Sequence, residues 1–436
     1  MSASAIELGR RKFLHDVAGT LGTRFVLLPI TLGTSIIVAR ALAPAGRGVY
    51  ATVVTAIGIF LLLGSLGMNK AAIYFIARDR PTDAEDVRRT ALWISVAQGL
   101  ALTLIVALLA LALARQPLHG LPWLAVLIAA PLGLAGQVRV TWEGFLRGDQ
   151  RNHSVNAIAL VYAFVFLASA AAGAGLGVLG VDEVLALRVV ATVAAAAVAF
   201  RLLGHRRSGL RVGTVRRDVA SSLLRYGVPY ALMAFLQAMN YDFDVLLVQA
   251  FRSNVEVGWY ATAASVGELL WYLPTAVGFV IFPRVARLAA SDAFAEAVDV
   301  GRKTLTVTLV GGAILALLAP ILVSGLYGDA FAPAIEPLRL LLPGIVMNTW
   351  FAVYGGVLLG LGEVRAVMAT TFIGVMTNVV LNLWLIPAYG ISGAAVASTL
   401  SYTATAVASL LIFARFADVS PRLAATPGRI SFHLGA

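Results

Sequence analysis

The 436-residue chain contains no cysteine. This absence excludes a disulfide framework, thiolate zinc sites and cysteine nucleophiles. Charged residues are also scarce, at 13% of the chain, whereas a soluble protein carries roughly a quarter. The five histidines fall in predicted loops, ends or tails, and none has a partner at metal-ligand spacing. No phosphate loop, serine-nucleophile elbow or HExxH motif occurs, so we expect neither an enzyme nor a bound cofactor or metal.

Apolar residues dominate instead, at 60% of the chain with a mean hydropathy of +0.88. A helix that crosses the hydrocarbon core of a bilayer needs about 20 such residues. We therefore predict an all-α integral membrane protein with twelve transmembrane helices. The predicted spans lie near residues 16–39, 48–76, 90–114, 121–145, 154–174, 180–200, 223–250, 256–282, 303–325, 334–360, 366–386 and 391–414.

The basic residues set the predicted orientation. Most of the 33 lysines and arginines fall in segments that lie inside if the N-terminus is inside, whereas the outer segments hold only Arg40, Arg47, Arg115 and Arg252. This bias predicts a plasma-membrane protein with both termini in the cytoplasm. The net charge of +11 then faces anionic lipid, and nucleic acid is not an expected partner. The apolar run after the basic start is too long for a signal peptide, so we expect no cleavage.

Two pentads indicate an internal repeat. Gly48-Val-Tyr50-Ala-Thr52 is followed 210 residues later by Gly258-Trp-Tyr260-Ala-Thr262. This period contains six predicted spans, and an even number places the second copy in the same sense as the first. We therefore predict two parallel six-helix bundles, related by a pseudo-twofold axis along the membrane normal, with a polar cleft between them.

The repeat also predicts the domain organisation. An N-terminal bundle covers residues 1–205, an Arg-rich cytoplasmic linker covers residues 206–222, and a C-terminal bundle with a cytoplasmic tail covers residues 223–436. We expect the linker to act as the hinge between the bundles. Paired glycines at positions 144 and 148, and at 356 and 360, predict close helix approach rather than ligand binding.

Polar residues inside predicted spans are candidates for the cleft because they are costly to place in lipid. Arg24 continues a threonine stripe in the first span, although its side chain can also extend to the headgroups. In the seventh span, Asn240 and Asp244 share a helical face. Asp242 points elsewhere, which suggests contact with a neighbouring helix.

The eighth span carries the most informative acid. Glu268 lies near mid-membrane, and Tyr272 follows it on the same face; an internal ion pair is the alternative to a cavity role. In the eleventh span, Asn378 and Asn382 either line the cavity or hold helices together by hydrogen bonds. Lys70 lies near the inner end of its span, and we interpret it as extending to the headgroups.

Several motifs resemble one known family. The strings are VARALAPAGRGVYA (38–51), NYDFDVLL (240–247), GWYA (258–261), FPR (282–284) and NVVLNLWLIPAYGISGAAVAS (378–398). In order and spacing they are similar to polysaccharide-biosynthesis flippases of the Wzx type, in the multidrug/oligosaccharidyl-lipid/polysaccharide exporter superfamily. The resemblance covers nearly the whole chain. It implies a MATE-like transporter that moves a polyprenyl-pyrophosphate-linked oligosaccharide from the inner to the outer leaflet.

The resemblance also implies roles and partners. Arg24 would capture phosphate; Asn240, Asn378 and Asn382 would bind sugar hydroxyls, and Tyr272 would stack on sugar rings. Glu268 or Asp244 would couple transport to a proton or a sodium ion. Expected partners are membrane lipids, the lipid-linked oligosaccharide, a polysaccharide polymerase and glycosyltransferases. Similar sequences often carry arginine two residues before the aspartate of the seventh span, where this chain has Asp242.

Three other readings fit less well. A cation or drug antiporter of the same superfamily would be expected to hold an acid in the middle of the first span, where this chain has only Asp16 at the cytoplasmic edge. A flippase of the lipid II branch typically has fourteen spans. A membrane enzyme such as an oligosaccharide polymerase would need a large outer loop for its catalytic residues, and every predicted outer loop is short.

Overall fold

A computed structural model describes residues 3–78, 81–115, 120–204, 215–285, 290–426 and 428. In these residues the chain is helical throughout, without a strand. In chain order the α-helices are α1 (Ala3–Gly64), α2 (Met68–Arg78), α3 (Pro81–Arg115), α4 (Trp123–Ala129), α5 (Leu132–Gly148), α6 (Asn152–Gly175), α7 (Val181–Leu203), α8 (Arg217–Tyr241), α9 (Phe243–Phe251), α10 (Asn254–Gly267), α11 (Tyr272–Val285), α12 (Ala290–Leu322), α13 (Ile335–Met347), α14 (Gly356–Gly360), α15 (Val364–Ala417) and α16 (Pro421–Ala425). The prediction of an all-α protein is confirmed for the described residues.

Nine helical segments in the described part of the chain are long and apolar enough to cross a membrane. Two contain a single non-helical residue: Ala43 in α1, with φ 53° and ψ 176°, and Gly390 in α15, with φ 62° and ψ −140°. Both breaks fall between predicted spans, so each long helix corresponds to two of them. The count of twelve spans stays a prediction.

Other predicted spans are interrupted within the membrane region. Pro131 separates α4 from α5, because proline has no N–H for the helical ladder and its ring clashes with the preceding turn. The seventh span breaks at Asp242, where α8 ends and α9 begins. The eighth span breaks at Glu268–Trp271, a 3₁₀ turn between α10 and α11. Such breaks rotate the residues beyond them relative to a continuous helix.

The chain folds into two compact units. Unit 1 comprises residues 1–42 and 53–235, and unit 2 comprises residues 43–52 and 236–436. The short segment 43–52, which contains the first copy of the repeated pentad, therefore belongs with the second half of the sequence. Helix α8 runs from the end of the predicted linker into unit 2, and residues 205–214 lie outside the described part. The predicted domain boundaries stay a prediction.

Each unit has its own apolar core. In unit 1 the core includes Met68 on α2, Phe145 and Leu146 on α5 and Ala195 on α7. In unit 2 it includes the π-helical residue Tyr354, which stacks on Phe413 of α15 with 4.3 Å between ring centroids. In each unit, buried side chains from several helices pack against one another and form the interior of the bundle.

Large apolar side chains also cover the outside. Phe25 is 75% exposed, Leu317 is 76% exposed and Trp384 is 72% exposed. In water such surfaces would drive association, whereas in a bilayer they meet lipid tails at no cost. The structure therefore has the surface of a multi-pass membrane protein.

The repeated glycines bring helices into backbone contact within unit 2. A Cβ on Gly48 would lie 1.9 Å from the carbonyl oxygen of Asn254, and a Cβ on Gly258 would lie 1.9 Å from that of Pro44. The repeat signature thus marks a helix crossing that only glycine permits at these two positions.

In unit 1, glycines pack α5 against α2. A Cβ on Gly144 would lie 2.9 Å from the carbonyl oxygen of Asn69, and a Cβ on Gly148 would lie 2.8 Å from Cβ of Ile76. The predicted close approach at this pair is confirmed. Gly356 is less crowded, since a Cβ there would be 3.5 Å from the nearest atom, the carbonyl oxygen of Gly278.

Candidate functional site

Six of the seven predicted site residues lie in unit 2: Asn240, Asp244, Glu268, Tyr272, Asn378 and Asn382. Arg24 lies in unit 1, half-buried on α1. The structure divides the unit 2 residues into an exposed acidic and aromatic surface and a buried hydrogen-bonded interior. No comparison tests the substrate-binding role of any of these residues, so those roles stay predictions.

The exposed surface contains Glu268, on the 3₁₀ turn between α10 and α11, and Tyr272, the first residue of α11. Glu268 is exposed, Tyr272 is 38% exposed, and Thr275 continues the open stripe on α11. The charges of Asp242, Asp244 and Arg47 act on Glu268, so these groups form one electrostatic cluster within unit 2. The predicted polar face of the eighth span is therefore open and contains a carboxylate beside an aromatic ring.

The two aspartates lie on different faces, as the spacing predicted. Asp244 is 3% exposed, whereas Asp242 is exposed. Asn240 and Asp244 both face α15, and Asp242, at the junction of α8 and α9, lies on the exposed acidic surface near Glu268. The sequence did not predict which aspartate is buried, and the cleft role of Asp244 stays a prediction.

Asp244 forms a buried polar contact between α9, α10 and α15. Its carboxylate accepts hydrogen bonds from the hydroxyl of Tyr260, from Oγ of Ser398 at 2.9 Å, and from the backbone N–H of Val245 at 2.8 Å. A buried carboxylate needs such donors to replace the water it loses. Sequence reasoning missed Tyr260 and Ser398 as its partners, although the repeated pentad had already marked Tyr260.

Asn240 forms a second buried contact to α15. Its Oδ1 accepts a hydrogen bond from Oγ of Ser401 at 2.5 Å, and its Nδ2 donates to Oγ1 of Thr405 at 3.5 Å. Together with Asp244, it ties the α8–α9 junction to α15. Membrane helices commonly use such bonds for association, so packing explains the burial of both residues.

The asparagine pair of α15 is fully buried. Nδ2 of Asn382 donates to the backbone oxygen of Asn378 at 2.9 Å and to its Oδ1 at 3.0 Å. Nδ2 of Asn378 and Oδ1 of Asn382 have no hydrogen-bond partner among the described residues. The pair therefore bonds within its own helix, and it keeps one donor and one acceptor unused.

Two features near the exposed surface were not predicted. Arg47, interpreted from the sequence as an outer-loop cation, is 7% exposed, and its Nη2 donates to Oγ of Ser265 at 3.2 Å. Beside Glu268 in the chain, Trp271 packs on Tyr241 at 4.8 Å and on Tyr402 at 5.5 Å between ring centroids. The sequence gave no signal for this aromatic group, because Tyr241, Trp271 and Tyr402 lie on three different helical segments that are far apart in the chain.

The arrangement suits recognition of a polar, ring-containing ligand. Carboxylates accept hydrogen bonds from hydroxyl or amino groups, and aromatic rings pack on the apolar faces of sugars. In the part of the chain that the structure describes, no three acidic or histidine side chains are arranged to hold a metal ion.

Comparison with solved structures shows the fold. The chain superposes with a TM-score of 0.73 on an inward-facing multidrug resistance MATE family transporter of the MOP superfamily, at 16% identity over 89% of this chain and 94% of that one. The lipid II flippase MurJ, in an inward closed conformation, gives a TM-score of 0.74 at 12% identity over 92% of this chain and 90% of that one. The predicted MATE-like membrane fold is therefore confirmed.

Comparison with curated sequences finds two relatives from Haloferax volcanii. One is the probable flippase AglR, 28% identical over 48% of this chain and 45% of the relative. The other is the probable low-salt glycan biosynthesis flippase Agl15, 28% identical over 43% of this chain and 41% of the relative. The matched region spans less than half the length of these curated relatives. These two relatives and the two structural neighbours are named as flippases or transporters, not as enzymes.

Two family profiles match the chain. Residues 229–384 match the MatE profile. Residues 16–289, more than half of the chain, match the family described as polysaccharide biosynthesis protein. Together with the helical membrane fold and the polar surfaces inside it, this match shows that the chain belongs to the polysaccharide biosynthesis protein family, within the superfamily of MATE-like exporters.

Proposed function

We propose that the protein is a flippase, which moves a polyprenyl-pyrophosphate-linked oligosaccharide from the inner to the outer leaflet of the plasma membrane for cell-surface polysaccharide synthesis. Both termini would lie in the cytoplasm. The family and the relatives named as flippases support the class of activity. The substrate, the direction and the orientation rest on the charge bias of the sequence and on the physical argument below.

The observation that carries the proposal is the exposed acidic and aromatic surface of unit 2. Sugar hydroxyls cannot cross hydrocarbon alone, because they would lose their hydrogen-bond partners. Asp242, Glu268 and Tyr272 expose polar groups among apolar helices, with Trp271 beside them. A flippase needs such a surface for the saccharide while the lipid tail stays in the bilayer.

The individual roles follow from this placement. Asp242 and Glu268 would accept hydrogen bonds from the saccharide, and Tyr272 would pack on a sugar ring. Asn378 and Asn382 would offer their unused donor and acceptor if helix movement exposed them. Arg24 would attract the pyrophosphate. Asp244 and Asn240 would position α9 against α15, in place of the direct substrate contact that the sequence predicted.

Transport also needs a source of energy. Glu268 is our candidate for coupling to a proton or a sodium ion, because it is an exposed acid whose charge interacts with two further carboxylates and with Arg47. Glycosyltransferases would supply the substrate, and a polysaccharide polymerase would consume the product.

Deletion followed by complementation tests the proposal. Cells without the gene should accumulate a lipid-linked saccharide on the inner leaflet, and the wild-type gene should clear it. Glu268→Gln and Arg24→Gln should fail to clear it while the protein remains folded and membrane-inserted. Glu336→Gln, which neutralises an exposed acid elsewhere on unit 2, is the matched control. Export at the wild-type level by both variants would remove the assigned roles, and no accumulation in the deletion strain would refute the flippase proposal.

A cation or drug antiporter is the second candidate. The exposed carboxylates beside Trp271 and Tyr272 would also suit an organic cation, and MATE transporters share the fold. An antiporter predicts that the purified protein in proteoliposomes exchanges a cationic dye for protons or sodium ions. A flippase predicts no such exchange and translocation of a lipid-linked sugar in the same vesicles.

A further inference from the structure

Three side chains form a polar stripe along α2 of unit 1. Lys70, Tyr74 and Arg78 are spaced four residues apart, so they lie on one helical face over roughly 12 Å. Lys70 and Arg78 are exposed, and Arg78 donates a hydrogen bond to the hydroxyl of Tyr74. This α2 stripe belongs to none of the polar groups described above.

A fourth side chain joins the stripe from α5. The glycine contacts at Asn69 and Ile76 press α2 against the segment that contains Arg147, which is exposed. Lys70 follows Asn69, and Arg147 precedes Gly148, so the two cations lie on facing segments of α2 and α5, near enough for the charge of Arg147 to act on Lys70. Neither has a carboxylate partner among the described residues. Two like charges held this way repel each other, and a bound anion would relieve the repulsion.

Several other cations of unit 1 are paired with carboxylates. These ion pairs are Arg88–Asp149 at 2.6 Å, Arg139–Glu143 at 2.6 Å, Arg89 with Glu85 and Asp86 at 3.6 Å each, Arg216–Asp86 at 2.9 Å and Arg216–Asp218 at 2.5 Å. Lys70 and Arg147 differ from these paired cations, because two positive charges lie near each other without a carboxylate partner in the part of the chain that the structure describes, and a bound anion would neutralise them.

The stripe is also held in place. Tyr74 stacks on Tyr226 of α8, with 4.3 Å between ring centroids and 18° between ring planes, and Tyr226 stacks on Tyr230 at 5.2 Å. This column fixes α2 against α8 within unit 1. A helix fixed in this way presents Lys70 from a rigid backbone, which lowers the entropy cost of binding a ligand.

We propose that Lys70 and Arg147 bind the diphosphate of a prenyl-linked substrate at the membrane surface, before translocation. This inference rests on the proposed flippase function and adds a headgroup site to it. Charge selects the ligand: a prenyl diphosphate carries more than one negative charge for the two adjacent cations, whereas a bulk phospholipid such as phosphatidylglycerol carries one. Arg78, two turns along the stripe, adds to the positive potential without contacting the same phosphate.

Binding to the purified full-length protein tests the site independently of transport. The probe is farnesyl diphosphate, compared with farnesyl monophosphate and with uncharged farnesol, in nanodiscs of neutral lipid. Wild-type protein should prefer the diphosphate to the monophosphate by about tenfold, which corresponds to the loss of one charge-assisted contact. Lys70→Gln and Arg147→Gln should each weaken diphosphate binding by about tenfold. Lys70→Arg, which keeps the positive charge, should retain most of the wild-type affinity for the diphosphate.

Arg115→Gln is the matched control, because it removes an exposed arginine at the far end of α3 in the same unit. Unchanged binding by both glutamine variants, or equal weakening by the control, would overturn the proposal. Equal affinity for diphosphate and monophosphate would mean that the site does not recognise a diphosphate, and full competition by nanodiscs of phosphatidylglycerol would mean that it holds bulk anionic lipid. Either result would also overturn the proposal. A flippase assay on the same proteins distinguishes failure of the proposed function from failure of the proposed site. If the wild-type protein binds the diphosphate but does not translocate a lipid-linked sugar, the flippase function is refuted and the diphosphate site stands.

Discussion

At the scale of single residues, burial separates two aspartates that are two positions apart. Asp244 is enclosed and accepts three hydrogen bonds, two of them from side chains of other helices, so it links α9 to α10 and α15. Asp242 is exposed where α8 and α9 meet. Sequence spacing placed the two aspartates on different faces, but it could not show which of them is buried. The sequence nevertheless indicated Asp242 and Glu268 as candidates, because both are acidic residues inside apolar predicted spans.

The buried contact of Asp244 leads to a stability prediction. Tyr260→Phe removes a donor from a buried carboxylate, so the free energy of unfolding should fall by about 1–3 kcal/mol. Unfolding of the purified protein by titration with denaturing detergent measures this loss. Tyr389→Phe, which removes a hydroxyl from an exposed tyrosine, should change little.

A double-mutant cycle with Ser398→Ala sharpens the test. Tyr260 and Ser398 donate to the same carboxylate oxygen, Oδ2 of Asp244. Their losses should therefore not be additive, with a coupling of about 0.5 kcal/mol or more. Additive losses, or a Tyr260→Phe variant as stable as Tyr389→Phe, would show that the carboxylate does not depend on these hydroxyls.

At the scale of helices, the repeat is a packing device. Gly48 and Gly258 occupy equivalent places in the two pentads, and both meet a backbone carbonyl oxygen of the other helix. The sequence made the repeat visible, but hydropathy alone could not show that its two copies touch. Their contact also explains why residues 43–52 belong to unit 2 and not to the unit that precedes and follows them in the chain.

This contact leads to a prediction for glycine variants. Gly258→Ala and Gly48→Ala each place a methyl group 1.9 Å from backbone oxygen, so the helices must separate. We expect a loss of about 1–3 kcal/mol of stability, the range for overpacked interiors, measured as a lower midpoint of detergent unfolding. Gly58→Ala is the control, because nothing lies within 4 Å of its added methyl group. Equal stability of all three variants would contradict the tight crossing.

At the scale of the whole molecule, the distribution of basic residues predicts the orientation of the chain. The inner segments predicted from the sequence carry most of the lysines and arginines. The exposed apolar side chains of both units support the multi-pass character. The assignment of the inner and outer sides is a prediction from charge alone.

The absence of cysteine makes the orientation directly measurable. Arg115→Cys should react with a membrane-impermeant maleimide in intact cells, because its segment is predicted to be outside. Lys303→Cys should react only after the membrane is permeabilised, because its segment is predicted to be inside. The unaltered chain is the blank, since it has no thiol to label. The reverse labelling pattern would invert the proposed direction of transport.

Composition and local pattern were enough to predict the membrane class, the internal repeat and the boundaries between spans on either side of Ala43 and Gly390, because these features add up along the chain. The packing of the helices was needed to show that Asp242 is exposed, that Arg47 is buried beside the acids of unit 2 and that Lys70 and Arg147 lie on facing segments. Each of these depends on where helices break and cross, and small rotations at such points change which side chains face one another.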